Sequence, residues 1–406
     1  MTPKLRQLRS LLAVAQTGRV AKAATRLNVS QPAVTRAIQS LEKEIGVFLF
    51  ERTRERMVPT QLGSIVVDRA ERAFDHLVGA EEELRRLIRS TGQDVTPQPL
   101  SRFVSNHELN AVIMIGAVHS VTSAAVRLGV SQPAVNRSLR NLEQRLGLRL
   151  FDRTAQGMIP TQAGETVIRR AKLALVEINQ GMEEIANIGG EALGRVSIGV
   201  LPLSRVYLVP TAVTRLMKDF PAADIVIVDG IFDQLLTDLC DGDIDLVVGT
   251  LRDPPPVDGI QSEKLFEDGM VIAARSGHPI FANDPIKFEH LKGLEWILPH
   301  TGVPLRSQFD ALLAENGIVP PGHPIETGSI SVSRTIAMGS DRLVVASKSQ
   351  IHHEESYGLL KPLDIATNVP KRPIGVVTRR DYVPTPVVAA LLEHLRAVAK
   401  EIFSDS

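Results

Sequence analysis

The chain has 406 residues, and its 46 basic and 46 acidic side chains cancel, a length that suggests about two to four domains. The balance hides an asymmetry: residues 1–90 carry 16 Lys/Arg against 10 Asp/Glu and 101–190 carry 10 against 7, whereas 191–406 carry 20 against 28, as expected of a chain that touches nucleic acid at one end only. A single cysteine, Cys240, excludes an intrachain disulfide and a thiolate metal cluster. No apolar run approaches the ~20 residues of a membrane span, and the Met1–Leu5 start has no signal-peptide core, so a cytoplasmic protein without a membrane partner is expected.

In chain order, Leu5, Leu8, Leu11, Leu12 and Ala15 recur at helical spacing, and Gly18 ends that helix. A short second helix follows, with Val20, Ala23, Ala24 and Leu27 facing inward. Asn28-Val29 form a tight turn, and Ser30 stands at the N-cap of a third helix, its hydroxyl expected to accept from a first-turn amide. Pro32 is tolerated there because first-turn N–H groups lack intrahelical partners. The third helix buries Val34, Ile38, Leu41 and Ile45 and turns Gln31, Thr35, Arg36 and Gln39 outward. Helix, four-residue turn and helix, with amides and arginine opening the second, is the form of a helix-turn-helix reader. In a major groove its Gln can pair with adenine and its Arg with guanine or phosphate. For one copy alone, a plain helical hairpin with a solvated polar face is the alternative. Phe48 to Pro59, carrying Arg52, Arg54 and Arg56, reads as a wing that lays arginines on phosphates. This first head spans 1–60, and a long linker helix follows over 61–92, with Ile65, Val66, Ala70, Ala73, Leu77, Leu84 and Leu87 along one side. Residues 93–101, with Pro97 and Pro99, form a flexible linker.

The pattern then returns. Ser30-Gln31-Pro32-Ala33-Val34-Thr35-Arg36 recurs 101 residues later as Ser131-Gln132-Pro133-Ala134-Val135-Asn136-Arg137, in a match that runs ungapped from Ala24/Ala125 to Gly63/Gly164 with about half the positions identical. Such a register implies one structural unit built twice. The second head covers 102–160, with Arg140 on its reading helix and Arg153 in its wing, and a second linker helix covers 161–190. At the reading positions Thr35 becomes Asn136, Gln39 becomes Arg140 and Ser40 becomes Asn141, which predicts related but unequal half-sites. Loss of reading by one copy is the rival expectation. Arg56 corresponds to Gly157, so the two wings should turn differently.

Both copies resemble the DNA-binding domain of LysR-type transcriptional regulators. The residues that carry the resemblance are the A-x-R-L-x-V-S-Q-P-A-V-x-R core, then Leu41-Glu42, Gly46, Leu49-Phe50, Arg52-Thr53 and Pro59-Thr60-Gln61-x-Gly63, matched by Leu142-Glu143, Gly147, Leu150-Phe151, Arg153-Thr154 and Pro160-Thr161-Gln162-x-Gly164. The family pattern has one head and one effector domain, so the second head is a departure. The resemblance implies linker helices that pair antiparallel with a partner chain. Two heads in one chain leave a further option, pairing with each other, and a linker reaching on the order of 30 Å allows either.

From Gly194 the texture changes. Arg195 to Val200 opens a strand, Leu203 to Phe220 reads as a helix, Asp224 to Val228 as a buried strand, Ile231 to Asp241 as a helix and Asp245 to Gly249 as a strand, an alternation that predicts a parallel sheet. A second α/β segment spans about Leu265 to Ser347, and residues 349–403 return with a strand at Pro373 to Thr378 and a last helix from Pro384. This part, 194–403, resembles the two-lobed effector domain of LysR regulators and type II periplasmic binding proteins. Leu201-Pro202-Leu203-Ser204-Arg205, Asp229-Gly230, Leu298 to Gly302, Pro304-Leu305-Arg306 and Ser329 to Arg334 look like the subgroup named for regulating a galactose-binding protein. The fold expected is therefore multidomain: two all-α winged helix-turn-helix domains followed by an α/β two-lobed domain of the type II periplasmic-binding-protein kind.

A ligand should lie between the lobes, beyond strand C-termini. Leu201, Leu203, Ser204 and Arg205 follow the first strand, Asp229 the second, Thr301 and Arg306 open the second lobe's wall, and Ser331 starts a helix. The arginines favour a carboxylate or phosphate and Asp229 a hydroxyl, so the expected effector is a sugar or small organic acid. No G-x-S-x-G, Walker-type loop or H-E-x-x-H appears, and no catalytic residue, metal or cofactor is expected. The function predicted is a ligand-responsive transcriptional regulator that binds double-stranded DNA as a homodimer or homotetramer and acts on RNA polymerase access. An architectural DNA-binding protein leaves the cleft idle, and a solute-binding protein leaves two basic readers unexplained.

Overall fold

The computed structural model describes residues 2–52, 56–92, 94–188, 194–319, 322–365, 367 and 369–403. The chain divides into two compact units, Met1–Gly194 with Asp241–Asp243, and Arg195–Cys240 with Ile244–Ser406.

The first unit runs through one order of elements and then through it again. Helices α1 (Leu5–Thr17), α2 (Val20–Leu27) and α3 (Gln31–Ile45) precede strands β1 (Phe50–Arg52) and β2 (Met57–Pro59) and the long α4 (Gln61–Thr91). A short α5 (Leu100–Phe103) leads to α6 (Asn106–Val118), α7 (Val121–Leu128), α8 (Gln132–Leu146), β3 (Phe151–Thr154), β4 (Gly157–Pro160) and α9 (Gln162–Ile188). Gly18, at φ +67°, ends α1 by donating to the Val14 carbonyl at 2.8 Å. At the corresponding end of α6 stands His119, at φ +52°. Across from each cap the wing residue is exchanged: the Arg56 side chain lies over Gly18, and Gly157, at φ +114°, lets the His119 carbonyl come close. The residue that faces the cap thus differs between the two copies, while the turn of the first wing, 53–55, on which the expected difference in turning bears, lies outside the described residues.

The N-caps of the reading helices differ from expectation. Ser30 and Ser131 have extended backbones at the cap positions, yet neither hydroxyl accepts a first-turn amide. Pro32 and Pro133 remove one donor, and the next amides, of Ala33 and Ala134, go to the Ser30 and Ser131 carbonyls at 3.0 Å in each copy. The hydroxyls stay on the exposed surface.

Each wing is locked to its linker helix by a glycine. A Cβ on Gly63 would stand 1.9 Å from the Leu49 carbonyl oxygen, and one on Gly164 2.0 Å from that of Leu150. Thr60 and Thr161 cap the two helices by accepting from the Gly63 and Gly164 amides at 2.9 and 3.1 Å. Gly63→Ala and Gly164→Ala should each destabilise the first unit by about 3 kcal/mol, since backbone rather than side chain must move. Urea titration measures this; a loss below about 0.5 kcal/mol would mean that the wing steps aside freely.

The stripes of α4 and α9 face each other. Their salt bridges fix the direction: Arg69 near the start of α4 meets Glu184 near the end of α9, while Arg170 near the start of α9 meets Glu83 near the end of α4. The helices are thus antiparallel, and the two pairs occupy equivalent positions 101 residues apart. The partner helix that the resemblance placed on another chain is supplied by the same chain. Within the expected flexible linker 93–101, of which residues 94–101 are described, the chain is anchored. The Gln98 amide donates to the Arg145 carbonyl at 3.0 Å, the Ser101 amide to Glu81 at 2.8 Å, and Leu100 and Val104 are 1 % and 0 % exposed.

The second unit holds two five-stranded sheets. One is ordered β6 (Asp224–Asp229), β5 (Arg195–Val200), β7 (Leu246–Thr250), β14 (Arg372–Arg379), β8 (Ile260–Asp268); the other β11 (Ile325–Glu326), β10 (Trp296–Leu298), β12 (Leu343–Ser347), β9 (Met270–Arg275), β13 (Leu360–Pro362). Around them lie α10 (Leu208–Asp219), α11 (Phe232–Asp241), α12 (Pro304–Glu315), α13 (Ile330–Met338), α14 (Lys348–Ser356) and α15 (Pro386–Phe403). Neither sheet is purely parallel, because β14 and β9 run against their neighbours. Those strands are where the chain passes between the lobes, β8 continuing past Gly269 into β9 and β13 returning to β14. β6 is an edge strand, half-exposed along its length, rather than the buried strand expected. Among the described residues, no helix is long and apolar enough to cross a membrane.

Candidate functional site

On α3, Ser30, Gln31, Pro32, Arg36 and Gln39 are exposed and Thr35 is half-buried; on α8 the same pattern holds for Ser131, Gln132, Pro133, Arg137, Arg140 and Asn136. Burial of Val34, Ile38 and Leu41, and of Val135, Leu139 and Leu142, forces these outward faces. Arg36 rests its Nε on the Pro32 carbonyl of its own helix at 3.3 Å, leaving the rest of the guanidinium to solvent. Ser40 leaves the reading set, because its hydroxyl lies between Gln7 at 3.2 Å and Glu44 at 2.9 Å. Arg153 is exposed on β3, and Arg52 ends β1 opposite Met57. Arg54 lies outside the described residues.

In the second unit the expected site separates into lobes. On the first sheet, Leu201 and Leu203 belong to apolar clusters, at 8 % and 9 % exposure. The Ser204 hydroxyl is buried as well and meets no hydrogen-bond partner among the described residues. Only Arg205 and Asp229 reach the surface, where they pair at 3.4 Å. The expected helix start at Leu203 also shifts, since residues 202–207 form turns and α10 begins at Leu208. No helix N-terminus therefore lies along Leu201–Arg205, and in the first turn of α10 the Val209 amide already donates to the Ser204 carbonyl at 3.1 Å while Pro210 has no N–H.

On the second sheet, Arg306 is already engaged. Its guanidinium meets Asp310 at 2.9 Å, Glu326 at 2.9 Å and the Pro299 carbonyl at 3.2 Å. Glu326 also accepts from the Thr301 hydroxyl at 3.2 Å. The Arg306 and Thr301 pairings hold Glu326 below the usual carboxylate range. Ser331 is exposed one residue inside α13, whose cap is Ser329, accepting from Val332 at 3.4 Å. Burial of the Arg306 guanidinium works against its charge, and the two carboxylates more than compensate. A carboxylate-bearing ligand would have to compete with both acids.

Three contributors were not anticipated. Asp310 stands four residues after Arg306 on one helix face, a spacing that favours pairing. Glu326 is brought in by a two-residue parallel strand that no spacing rule reveals. Tyr207 meets His352 edge-on at 4.7 Å between ring centroids, joining the segment after the first strand to α14. Two residues on from His352, Glu354 is 2 % exposed and lies 3.6 Å from Arg334.

Comparison with known proteins covers both units. The family model described as the LysR substrate binding domain matches residues 189–400. The model described as the bacterial regulatory helix-turn-helix protein, lysR family, matches residues 5–64 and again 107–165. The HTH-type transcriptional regulator GalR of Pseudomonas putida is 32% identical over 399 residues, covering 98% of this chain and 98% of that protein. PcaQ of Agrobacterium fabrum is 28% identical over 295 residues, 73% of this chain and 95% of its own length. Among solved structures, a full-length OxyR variant from Pseudomonas aeruginosa aligns with a TM-score of 0.54 at 23% identity over 73% of this chain and 95% of that one. LysG from Corynebacterium glutamicum, with arginine bound as effector, aligns with a TM-score of 0.52 at 19% identity over 72% and 97%.

Proposed function

The chain belongs to the LysR family of DNA-binding transcriptional regulators, and from that premise we propose that it carries, within one polypeptide, the pair of reading heads that a dimer of single-headed chains would supply. Members of this family bind DNA, respond to small-molecule effectors and form oligomers; the chain is a regulator and not an enzyme. The observation that carries the proposal is the antiparallel pairing of α4 with α9 inside the chain, with the exposed faces of α3 and α8 left free. Ser30, Gln31, Pro32, Thr35, Arg36, Gln39, Arg52 and Arg54 would serve one half-site, and Ser131, Gln132, Pro133, Asn136, Arg137, Arg140 and Arg153 the other.

The effector is assigned to the cleft between the lobes of the second unit. Because Arg306 and Arg205 are each paired with acids, a small ligand rich in hydroxyls, sugar-like, is favoured over an organic acid. Arg205, Asp229, Thr301 and Glu326 are its polar contacts, and closure passes through Tyr207 and His352. Binding unequally to open and closed cleft, the effector shifts the lobes within a homodimer or homotetramer in the cytoplasm and so alters promoter access for RNA polymerase. The resemblance of Leu201 to Arg205, Asp229-Gly230 and Leu298 to Gly302 to the subgroup named for regulating a galactose-binding protein supports the same choice.

A footprint on the protein's own promoter region tests the paired-head reading. Arg36→Ala should erase one part of the protected region and Arg137→Ala another. If only one substitution matters, the other head is a spacing element; if the wild type protects nothing at low salt, the assignment of both faces is wrong.

A further inference from the structure

Where α1 begins, α5 passes and α6 starts, the first unit forms a cleft of about 430 Å³. Its rim carries Lys4 and Arg6, Arg102 and His107, all exposed. The side chains of Arg6, Arg102 and His107 make no ion pair or hydrogen bond among the described residues. Its floor includes Val29 and Ala33, in the turn before α3 and in the first turn of that helix. Among the described residues no carboxylate lines it. The acid beside it, Glu108, is turned inward, accepting from the Ser105 amide at 2.9 Å and the Ser105 hydroxyl at 2.8 Å.

Lys4 and Arg6 at the start of α1 and Arg102 on α5 are held in one frame by the fold. Arg9 donates to the Ser101 carbonyl at 2.7 Å and the Val104 carbonyl at 2.6 Å, clamping α5 with Arg102 onto the first head. Asn106 joins the two helix starts, accepting from the Leu5 amide at 2.8 Å and donating to the Pro3 carbonyl at 2.9 Å. Like charges fixed side by side without partners repel one another, and an anion between them relieves that cost.

We propose that this cleft grips the phosphate backbone of DNA between the two half-sites, so that the connector of the two heads is itself a DNA contact. The proposal rests on the reading of the heads as DNA-binding. The occupant follows from position. Arg6 and His107 hold equivalent places in the two copies, as do Leu5 and Asn106, so the cleft lies where the heads meet. Its floor adjoins the start of α3, the end of a reading helix that approaches DNA. An open, cation-rimmed cleft there meets backbone phosphates, which position without reading sequence.

The test is binding to the footprinted promoter fragment, and to unrelated DNA of equal length, across a salt series. Arg6→Ala/Arg102→Ala should lower the slope of log K against log salt by about two on both DNAs. Arg6→Lys/Arg102→Lys should keep the slope, which separates lost charge from lost fold. Arg86→Ala, on a side chain of α4 that is 77% exposed, pairs with Glu82 at 3.8 Å and does not line the cleft, removes one charge and should leave the slope as it is. An unchanged slope in the double alanine variant, while Arg36→Ala still weakens binding, overturns the connector contact and leaves the heads standing. A wild type whose binding ignores salt overturns both. Equal losses from Arg86→Ala and from the cleft variants overturn it too, since only total charge would then matter. Inorganic phosphate titrated into the free protein, with saturable heat lost in the double alanine variant and an unchanged DNA slope, would reassign the cleft to a small anion and overturn the DNA contact.

Discussion

Arg69→Ala should destabilise the first unit by about 3–5 kcal/mol, the cost of removing one partner of a buried ion pair. The Arg69 side chain is 4 % exposed and is bonded to Glu177 at 2.7 Å and Gln180 at 3.0 Å, with Glu184 as its third partner. Truncation takes the Arg69 partner from Glu177, whose side chain is itself 7 % exposed. Arg170 holds the equivalent place in the second copy, but its side chain is 26 % exposed, and Arg169 also reaches Glu83. Arg170→Ala should therefore cost about 1 kcal/mol or less. Chemical denaturation of the full chain measures both, with the transition of the second unit as internal reference. Adding Glu177→Gln to Arg69→Ala should recover part of the loss. Equal losses at Arg69 and Arg170 would show that burial does not set the difference.

The same pair marks what the sequence could and could not say. Apolar spacing placed α1 to α4 and α6 to α9, because each helix buries one stripe against one shared core. The choice of partner for the linker helices was not legible. Arg69, Glu83, Arg170 and Glu184 would meet in the same way within one chain or between two, so their pattern is silent about which. What decides is the connector, and its anchoring depends on backbone groups, the Gln98 and Ser101 amides and the Ser101 and Val104 carbonyls, that no side-chain pattern announces.

In the second unit the alternation of strand and helix was legible, but strand order was not. Asp224 to Val228 reads as a buried run, yet an edge place leaves half of it open to solvent. One missed signal was present. Pro210 tolerates only the first turn of a helix, which sets the start of α10 near Leu208 and withdraws Leu201 to Arg205 from any helix N-terminus. The pairing of Arg306 with Glu326 depends on a parallel strand contact formed by residues 20 apart, beyond any helical spacing.

Thr35→Asn/Gln39→Arg should change which half-site the first head prefers, by about 30-fold to 10⁴-fold. These are the two exposed or half-exposed reading positions at which the copies differ, now that Ser40 is seen tied to Gln7 and Glu44. Gln39 offers an amide suited to adenine, whereas Arg140 offers a fork suited to guanine. Each good side-chain-to-base match discriminates by about 1–3 kcal/mol, so two positions carry about 2–6 kcal/mol. Both side chains lie off the buried stripe of Val34, Ile38 and Leu41, and the exchange should leave stability nearly unchanged. The measurement is binding to two synthetic operators, one native and one with the half-site of the second head in both places. Wild type should prefer the native operator, and the variant should prefer the duplicated one. If both proteins rank the operators alike, positions 35 and 39 do not read bases, and the unequal heads differ for some purpose other than sequence choice.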